Sequence, residues 1–476
     1  MTDRTSTDPL SLLVGRFAES FELKNVSDEG VLRAKLSILD AVGVALASTR
    51  YDFAHKLLSS LASITDSSVS PVIGIPTRLG VRDSMLMNGA LIHGIDFDDS
   101  HNWAAFHPTA SALTCALGAV CQAGGTGKDL LSAYIVAVEV MIRVGGAASG
   151  WFQPAGFHPT GYAGAFGCAV GAGWVLGLNA AQQADAQGIV LSAASGSMEF
   201  LAEGAWTKRL HPGQAAVAGY QAAHFARQGF VGPRLPYEGR FGLYRMCFGE
   251  RADQVDFEAI AEGLGSRWEV EHMAVKPYPA CHYTHSCADA IFKMMHDGLT
   301  ASDVERVTVR VPQAEMPIVC EPIDRKRRPL TGYEAKFSIP YTVALCLTTG
   351  RHGLAEFDDD ALLHRADVLS LCDRVECEVD VKADFPRHFS SDVEVLLKNG
   401  QKLHHREELN RGCVDRPLSP SDIEAKFLDN ARLVLSEPAV MGLMDRVRNL
   451  ERIDHTPTLA SVFSDPGIVC RSRFTD

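Results

Sequence analysis

The sequence predicts a mainly α protein with a smaller α+β region, and three observations carry that prediction. Apolar residues recur at helical spacing from Asp28 to Arg227, period-two alternation sets in only after Gly265, and helical patterning returns from Pro420. The division that follows is a helical domain over 1–265, an α+β domain over 266–412 and closing helices over 413–476. Pattern alone leaves open whether the closing helices rejoin the first domain.

In chain order, Asp28 is placed to cap a helix over Glu29 to Ser48, where Leu32, Leu36, Leu39, Val42 and Leu46 recur on one side. Further helices are expected over Ala54 to Leu61, Ser84 to Ile95, Thr109 to Ala123, Lys128 to Val144 and Thr160 to Leu176. Ala180 to Ser195 follows with Asn179 as its cap, then Pro212 to Arg227. Before residue 267 no stretch alternates convincingly. Afterwards Trp268–Met273, Val304–Val311, Val375–Val379 and Asp392–Leu397 read as half-buried strands. The last meets Asn399-Gly400 and then Gln401–His405, the strongest short hairpin signal a sequence offers. Helices are expected at His285 to Met295 and Ile339 to Thr348, then from Pro420 and over Val440 to Leu450; the tail after Pro457 shows few periodic features.

Composition bounds the function. A chain of 476 residues, 46% hydrophobic and 22% charged, has room for two or three domains with a large core. A net charge of −13 argues against nucleic acid as a partner, because phosphate neutralisation needs a basic face. Twelve cysteines are scattered without a single CxxC pair, which speaks against a thiolate zinc site. With no signal peptide at Met1-Thr2-Asp3-Arg4, reduced thiols in a cytoplasmic setting are expected. Gly161 to Leu178 carries no charge, but eighteen Gly- and Ala-rich residues barely cross a bilayer. A central helix whose small residues admit close neighbours is expected there, and no membrane.

The chemistry concentrates between His93 and Pro108, where Asp96, Asp98, Asp99, Ser100, His101 and His107 stand between two apolar helical runs. Burying such groups unpaired costs roughly 2–7 kcal/mol each, so they satisfy one another or serve chemistry. Four more stretches gather ionisable groups beside Pro and Gly: Gly156–Gly161 with His158, Thr207–Gly213 with Lys208, Arg209 and His211, Lys276–His285, and Lys336–Tyr341. His107, His158 and His211 each precede a proline at the start of a helix. At that position the helix dipole favours a neutral imidazole and a bound anion. The Asp-x-Asp-Asp run matches no EF-hand or HExxH metal pattern. Gln122–Asp129 lacks the first Gly of a phosphate loop and the Ser/Thr after Lys128, and reads as a turn between helices. No Gly-x-Ser-x-Gly elbow occurs over Ser192–Met198.

Ile95-Asp96-Phe97-Asp98-Asp99-Ser100 with His107-Pro108, Gly156-Phe157-His158-Pro159, Thr207-Lys208-Arg209-Leu210-His211 and Lys276-Pro277-Tyr278-Pro279-Ala280-Cys281 stand in one order. That order resembles the MmgE/PrpD family, which includes 2-methylcitrate dehydratase, cis-aconitate decarboxylase and iminodisuccinate epimerase. The resemblance implies a large all-helical domain completed by the C-terminal helices, plus a smaller α+β lid domain, in a homodimer. It also implies an active site in the cleft between them, without metal or organic cofactor. Asp96, His107, His158 and Lys208 are then the candidate catalytic groups, and Ser100, His211, Lys276, His282 and Tyr341 the candidate substrate-binding ones. Ser100 stands where the decarboxylase branch usually has Thr, and the Lys276–Cys281 stretch looks more like the epimerase branch.

The expected chemistry is proton transfer beside a carboxylate. Cations offset the charge that builds there, and His158 and Lys208 move the proton because their settings lower a basic group's pKa. Asp96 orients His107 or acts as an acid, while Lys276 and Tyr341 hold carboxylates. The leading expectation is a cofactor-independent lyase acting on a small di- or tricarboxylate. The alternatives are an epimerase or racemase using the same proton chemistry, and a carboxylate-binding protein without catalysis.

Overall fold

The computed structural model describes residues 8–358 and 360–464; Met1–Arg4 and Cys470 lie outside them. Helix α1 spans Leu10–Ser20 and α2 spans Asp28–Ser48. Ser27, rather than Asp28, caps α2: its backbone is extended and its Oγ accepts the Gly30 N–H at 2.9 Å, so Asp28 opens the first turn. Helix α3 covers Asp52–Ile64. A short antiparallel pair follows, β1 Ser70–Val72 and β2 Ile75–Leu79. Sequence patterning missed it because β1 is buried throughout and each strand holds a proline, which leaves no alternation to read.

Helices α4 Val81–His93, α5 Pro108–Ala123, α6 Gly127–Ala147 and α7 Pro159–Val175 pack with His211–Arg227 into the central bundle. Gly124 in the left-handed region and a capping box between Thr126 and Asp129 make the α5–α6 turn, so the phosphate-loop lookalike joins two helices. Helix α7 runs through the interior. A Cβ on Gly167 would stand 2.4 Å from the Ala137 carbonyl of α6, which is why small residues fill this uncharged stretch. Helix α6 is long and apolar enough to span a membrane by length and composition, yet it is buried from Leu130 onward and carries Glu139 and Arg143. Helix α8 covers Ala180–Val190 with Asn179 and Gln182 in a capping box, and turns take over from Leu191, short of Ser195.

Trp268–Met273 is not a strand. It makes a 3₁₀ turn over Glu269–His272, with Trp268, Val270 and Met273 all buried in the helical core. Alternating apolar residues here reflect a chain that drapes over a core, and the Val270 N–H bonds Glu139 Oε1 at 2.9 Å instead of a neighbouring strand. Beyond it, β3 Val304–Val311, β4 Val375–Val379, β5 Ser391–Leu397 and β6 Lys402–Glu407 form one sheet in the order β4-β3-β5-β6. The β3–β4 pair is parallel and the others antiparallel, and Gly400 with φ 85° closes the β5–β6 hairpin at Asn399-Gly400. Helices His285–His296 and Ile339–Thr349 cover this sheet.

Among the described residues two large hydrophobic cores result, with a small cluster of Leu36, Val275, Leu418 and Ile423 beside them. The larger takes in residues from Leu10 to Met273 and then Phe427, Val440, Leu443 and Phe463; the smaller runs from Ala280 to Val395. Pro420–Ala431 and Glu437–Arg448 therefore pack back on the first core, with Phe427 seated against Gly43 of α2. A last helix, Thr456–Ser464, where patterning showed little, docks beside the first hairpin: the Gly74 N–H bonds the Phe463 carbonyl at 2.8 Å. The eleven cysteines among the described residues are free thiols.

Candidate active site

The loop from Gly94 to His107 lies on the seam between the two cores. Ser100 bridges Ala274 by backbone bonds of 2.8 and 2.7 Å, just where the chain passes from one core to the other. Four consecutive carbonyls of this loop are each held by a buried cation. Arg209 Nε reaches Gly94 O at 2.8 Å, Lys336 Nζ reaches Ile95 O at 2.7 Å, Lys276 Nζ reaches Asp96 O at 3.0 Å and Lys426 Nζ reaches Phe97 O at 2.8 Å. Asp96 itself takes a left-handed conformation, φ 57°, uncommon for a side chain other than Gly, Asn or Asp. The pair Lys208-Arg209, which in isolation resembles solvated surface, is buried here, and Arg209 is clasped by the rings of Phe53 and Tyr333.

Asp96 is the electrostatic centre. Its carboxylate accepts a very short bond from Lys208 Nζ and one of 3.2 Å from Lys276 Nζ. Burial by itself raises its pKa, but the Lys208 and Lys276 ammonium groups hold it well below the ordinary carboxylate range. Lys208 departs from expectation. Burial pulls its pKa down, yet the Asp96 carboxylate outweighs that and raises it, so Lys208 stays an ammonium. Burial does bring down Lys336, which is tied to the Ile95 carbonyl, to about 7, and it lowers Lys426 as well.

The imidazoles are neutral and their protons can be placed. His107 and His158 cap α5 and α7, and burial holds both pKa values well below the usual histidine range. His107 Nδ1 faces the Asp99 carbonyl at 2.7 Å and must donate to it, which leaves Nε2 as a lone-pair base. His93 Nδ1 donates to Asp98 Oδ2 at 2.7 Å, and its Nε2 is buried without a partner. His158 Nδ1 lies 2.9 Å from His211 Nδ1, so one ring donates and the other accepts. Burial, with His93 and Lys208 nearby, lowers His211 to about 4.

Ser100 Oγ lies 2.9 Å from His282 Nδ1. His282 Nε2 has two neighbours, the Asn410 amide nitrogen at 3.0 Å and the Arg411 carbonyl at 3.3 Å, which demand opposite tautomers. The Phe389 backbone N–H, 3.1 Å from Asn410 Oδ1, fixes that amide's orientation, because a backbone N–H can only donate. Asn410 therefore donates to Nε2, the His282 proton sits on Nδ1, and Ser100 accepts it with its own hydrogen free to be given away. Asn410→Asp replaces that donor with an acceptor. It is expected to move the proton to Nε2, read in the imidazole nitrogen chemical shifts, and to cost about tenfold in KM as Ser100 turns back toward His282. Unchanged shifts in the variant would contradict the assignment.

Asp96, Ser100, His107, His158, Lys208 and His282 line one cavity of about 50 Å³. His211 stands behind His158, and Lys276 behind Asp96, both buried. Tyr341 is elsewhere: it is 1% exposed in the smaller core, its ring 6.3 Å from that of Phe357 and outside the cavity wall. The wall also holds residues that sequence reasoning did not single out. Cys281, whose thiol burial raises to about 11, was in view within the Lys276–Cys281 stretch. Phe200, Phe337 and the Tyr283–Gln153 pair, bonded at 3.0 Å, carry no local signal.

His93, Asp98 and His107 could together hold a metal ion. Their ligand atoms are already committed: His93 to Asp98, and His107 Nδ1 to the Asp99 carbonyl. The Lys208 and Lys276 charges also oppose a further cation. These residues fit proton handling better than metal ligation.

Residues 14–256 match the model of the MmgE/PrpD N-terminal domain, and residues 278–451 that of the MmgE/PrpD C-terminal domain. The chain is also similar to curated proteins along nearly its whole length. It is 29% identical to cis-aconitate decarboxylase of Homo sapiens, over 93% of this chain and 92% of that protein. It is 27% identical to the Mus musculus enzyme of the same name, over 94% and 92%. Cis-aconitate decarboxylase of Aspergillus terreus strain NIH 2624 is 26% identical over 96% of both.

Proposed function

We propose, on the premise that this chain belongs to the MmgE/PrpD family, that it is a lyase that decarboxylates a small polycarboxylate of the cis-aconitate class. The observation that carries the reading is the pairing of one buried ammonium, Lys208, with neutral imidazoles, His158 and His107, around a single cavity. Lys208 has donors to spare beyond the one given to Asp96, and they bind a substrate carboxylate. When the carbon–carboxylate bond breaks, its electron pair stays on the carbon and spreads into the neighbouring carboxylate. The Lys208 ammonium offsets that charge and is the acid with a proton to deliver to the carbon. His158 and His107, kept neutral by burial, accept hydrogen bonds or take protons, and Ser100 donates to a carboxylate. No step in this scheme calls for a cofactor. The same resemblance makes a cytoplasmic homodimer part of the proposal, which sedimentation would read as twice 51.5 kDa.

A second reading, an epimerase of a small dicarboxylate, is favoured by one observation. Cys281, in the stretch that looks like the epimerase branch, places a protonated thiol in the same cavity as the His158 base. Proton NMR in deuterated water with cis-aconitate, methylcitrate and iminodisuccinate separates the readings. Release of carbon dioxide from cis-aconitate, with one deuteron in the product, is the expected result. Deuterium exchange beside a carboxylate without a new product would instead mean epimerase. Loss of water from methylcitrate would mean dehydratase, and binding without turnover would mean a carboxylate carrier.

A further inference from the structure

A group of metal-ligating side chains lies outside the catalytic cavity. His101, Glu269 and His272 bring one ligand atom each within 4.8 Å of one another, and none of the three lines the cavity. Glu269 and His272 stand three residues apart on the 3₁₀ turn, where side chains at that spacing eclipse and share one face. His101 meets them from the loop that carries Ser100. The paired backbone bonds between Ser100 and Ala274 tie the two segments together beside the cluster.

The distances suit a metal's donor set. Glu269 Oε2 lies 3.6 Å from His101 Nε2 and 3.2 Å from His272 Nδ1. Donors bound to zinc in a tetrahedron stand about 3.4 Å apart. An ion pair with His272 accounts for the shorter distance by itself. It leaves His101 unexplained: the residue is 3% exposed, and its Nε2 is buried with no hydrogen-bond partner. The other carboxylate oxygen is supported from outside, as ligating carboxylates are, because Oε1 accepts from Arg267 Nε at 3.1 Å. Arg143 lies 3.9 Å from that same oxygen and gives its donors to the carbonyls of Glu262 and Arg267. Both guanidinium groups thus meet Glu269 at Oε1, and Oε2 faces the imidazoles. A metal on Nε2 puts the His101 proton on Nδ1, which gives up only a long contact of 3.4 Å from the Ala104 N–H.

We infer that His101, Glu269 and His272 bind one divalent transition-metal ion of the zinc class, with a fourth position left for water. Two imidazoles and one carboxylate select zinc and its neighbours, whereas calcium and magnesium take oxygen sets. The His272 side chain is 38% exposed and puts the cluster within reach of solvent. The ion pins the loop carrying Ser100 to the turn before Ala274. It takes no part in the chemistry proposed above, so either reading can fail without the other.

The test titrates the full-length protein, stripped of metal by a chelator, with cobalt(II) and then zinc. One cobalt per chain is expected, with the visible bands of four-coordinate cobalt, a Kd in the micromolar range or below, and displacement by zinc. Saturating zinc should raise the melting temperature by several degrees. X-ray absorption of the zinc-loaded protein should count two imidazole ligands. His272→Ala should weaken binding at least about a hundredfold, the upper end of what loss of a mere supporting partner costs. His404→Ala, which removes an exposed imidazole of the sheet, should bind as wild type does. Wild type without cobalt bands overturns the inference and leaves an ion pair. Fewer than two imidazoles, bands that persist in His272→Ala, or bands that vanish in His404→Ala place the metal elsewhere and overturn it too.

Discussion

Lys208→Met is expected to lower kcat by about a thousandfold with a folded protein, the scale seen when a donor to developing negative charge is removed. Methionine keeps most of the volume beneath the Phe337 ring, over which the Lys208 ammonium now lies at 4.8 Å from its centre. Asp96 retains Lys276 as a counter-ion, so its carboxylate is not stranded. Lys208→Arg separates the two roles assigned to the ammonium. A guanidinium keeps the charge but holds its proton, so KM should stay within a few-fold while kcat remains low if Lys208 is the acid. Full turnover by the methionine variant, measured as carbon dioxide release, would remove Lys208 from the chemistry.

Asp96→Asn should be the most damaging isosteric change to stability. The carboxylate lies between the ammonium groups of Lys208 and Lys276, both almost fully buried, and an amide there leaves two buried cations short of their anion. Breaking a buried pair in this way costs about 3–5 kcal/mol. The loss has a pH signature whose sign follows from linkage. Burial raises the Asp96 pKa but the two lysines more than reverse that, so the folded value lies well below the unfolded value of about 3.9. The stabilisation is complete above the unfolded value and is lost as pH falls toward the folded one. Melting curves should therefore show wild type far above Asp96→Asn at neutral pH, with the gap closing only in strong acid. Equal melting temperatures at neutral pH would mean that the three charges are not coupled as the distances imply.

Much of the helical frame could be read before any coordinates. The four strands of the larger sheet could too, because Val-rich alternation at 304–311, 375–379 and 392–397 and the run after the Asn399-Gly400 turn are local signals. Trp268–Met273 shows the limit: the same alternation arises when a segment lies across a core with no strand beside it. The site divides similarly. The His-Pro pairs announced helix starts, and His107 and His158 do cap helices. Which way Lys208 shifts was not legible, since the answer depends on a carboxylate 112 residues away in the chain. Asn410 and Phe389 are invisible for the same reason: they set the His282 tautomer through contacts that no local pattern encodes.

What the sequence determined by itself was the kind of element at each place and the family of chemistry, because periodicity, caps and short motifs act over a few residues. What only the tertiary structure decided was the charge state of each group and which of them share one cavity. The four cations on the Gly94–Phe97 carbonyls show why. They come from four distant parts of the chain, and only the folded structure brings them together beside Asp96.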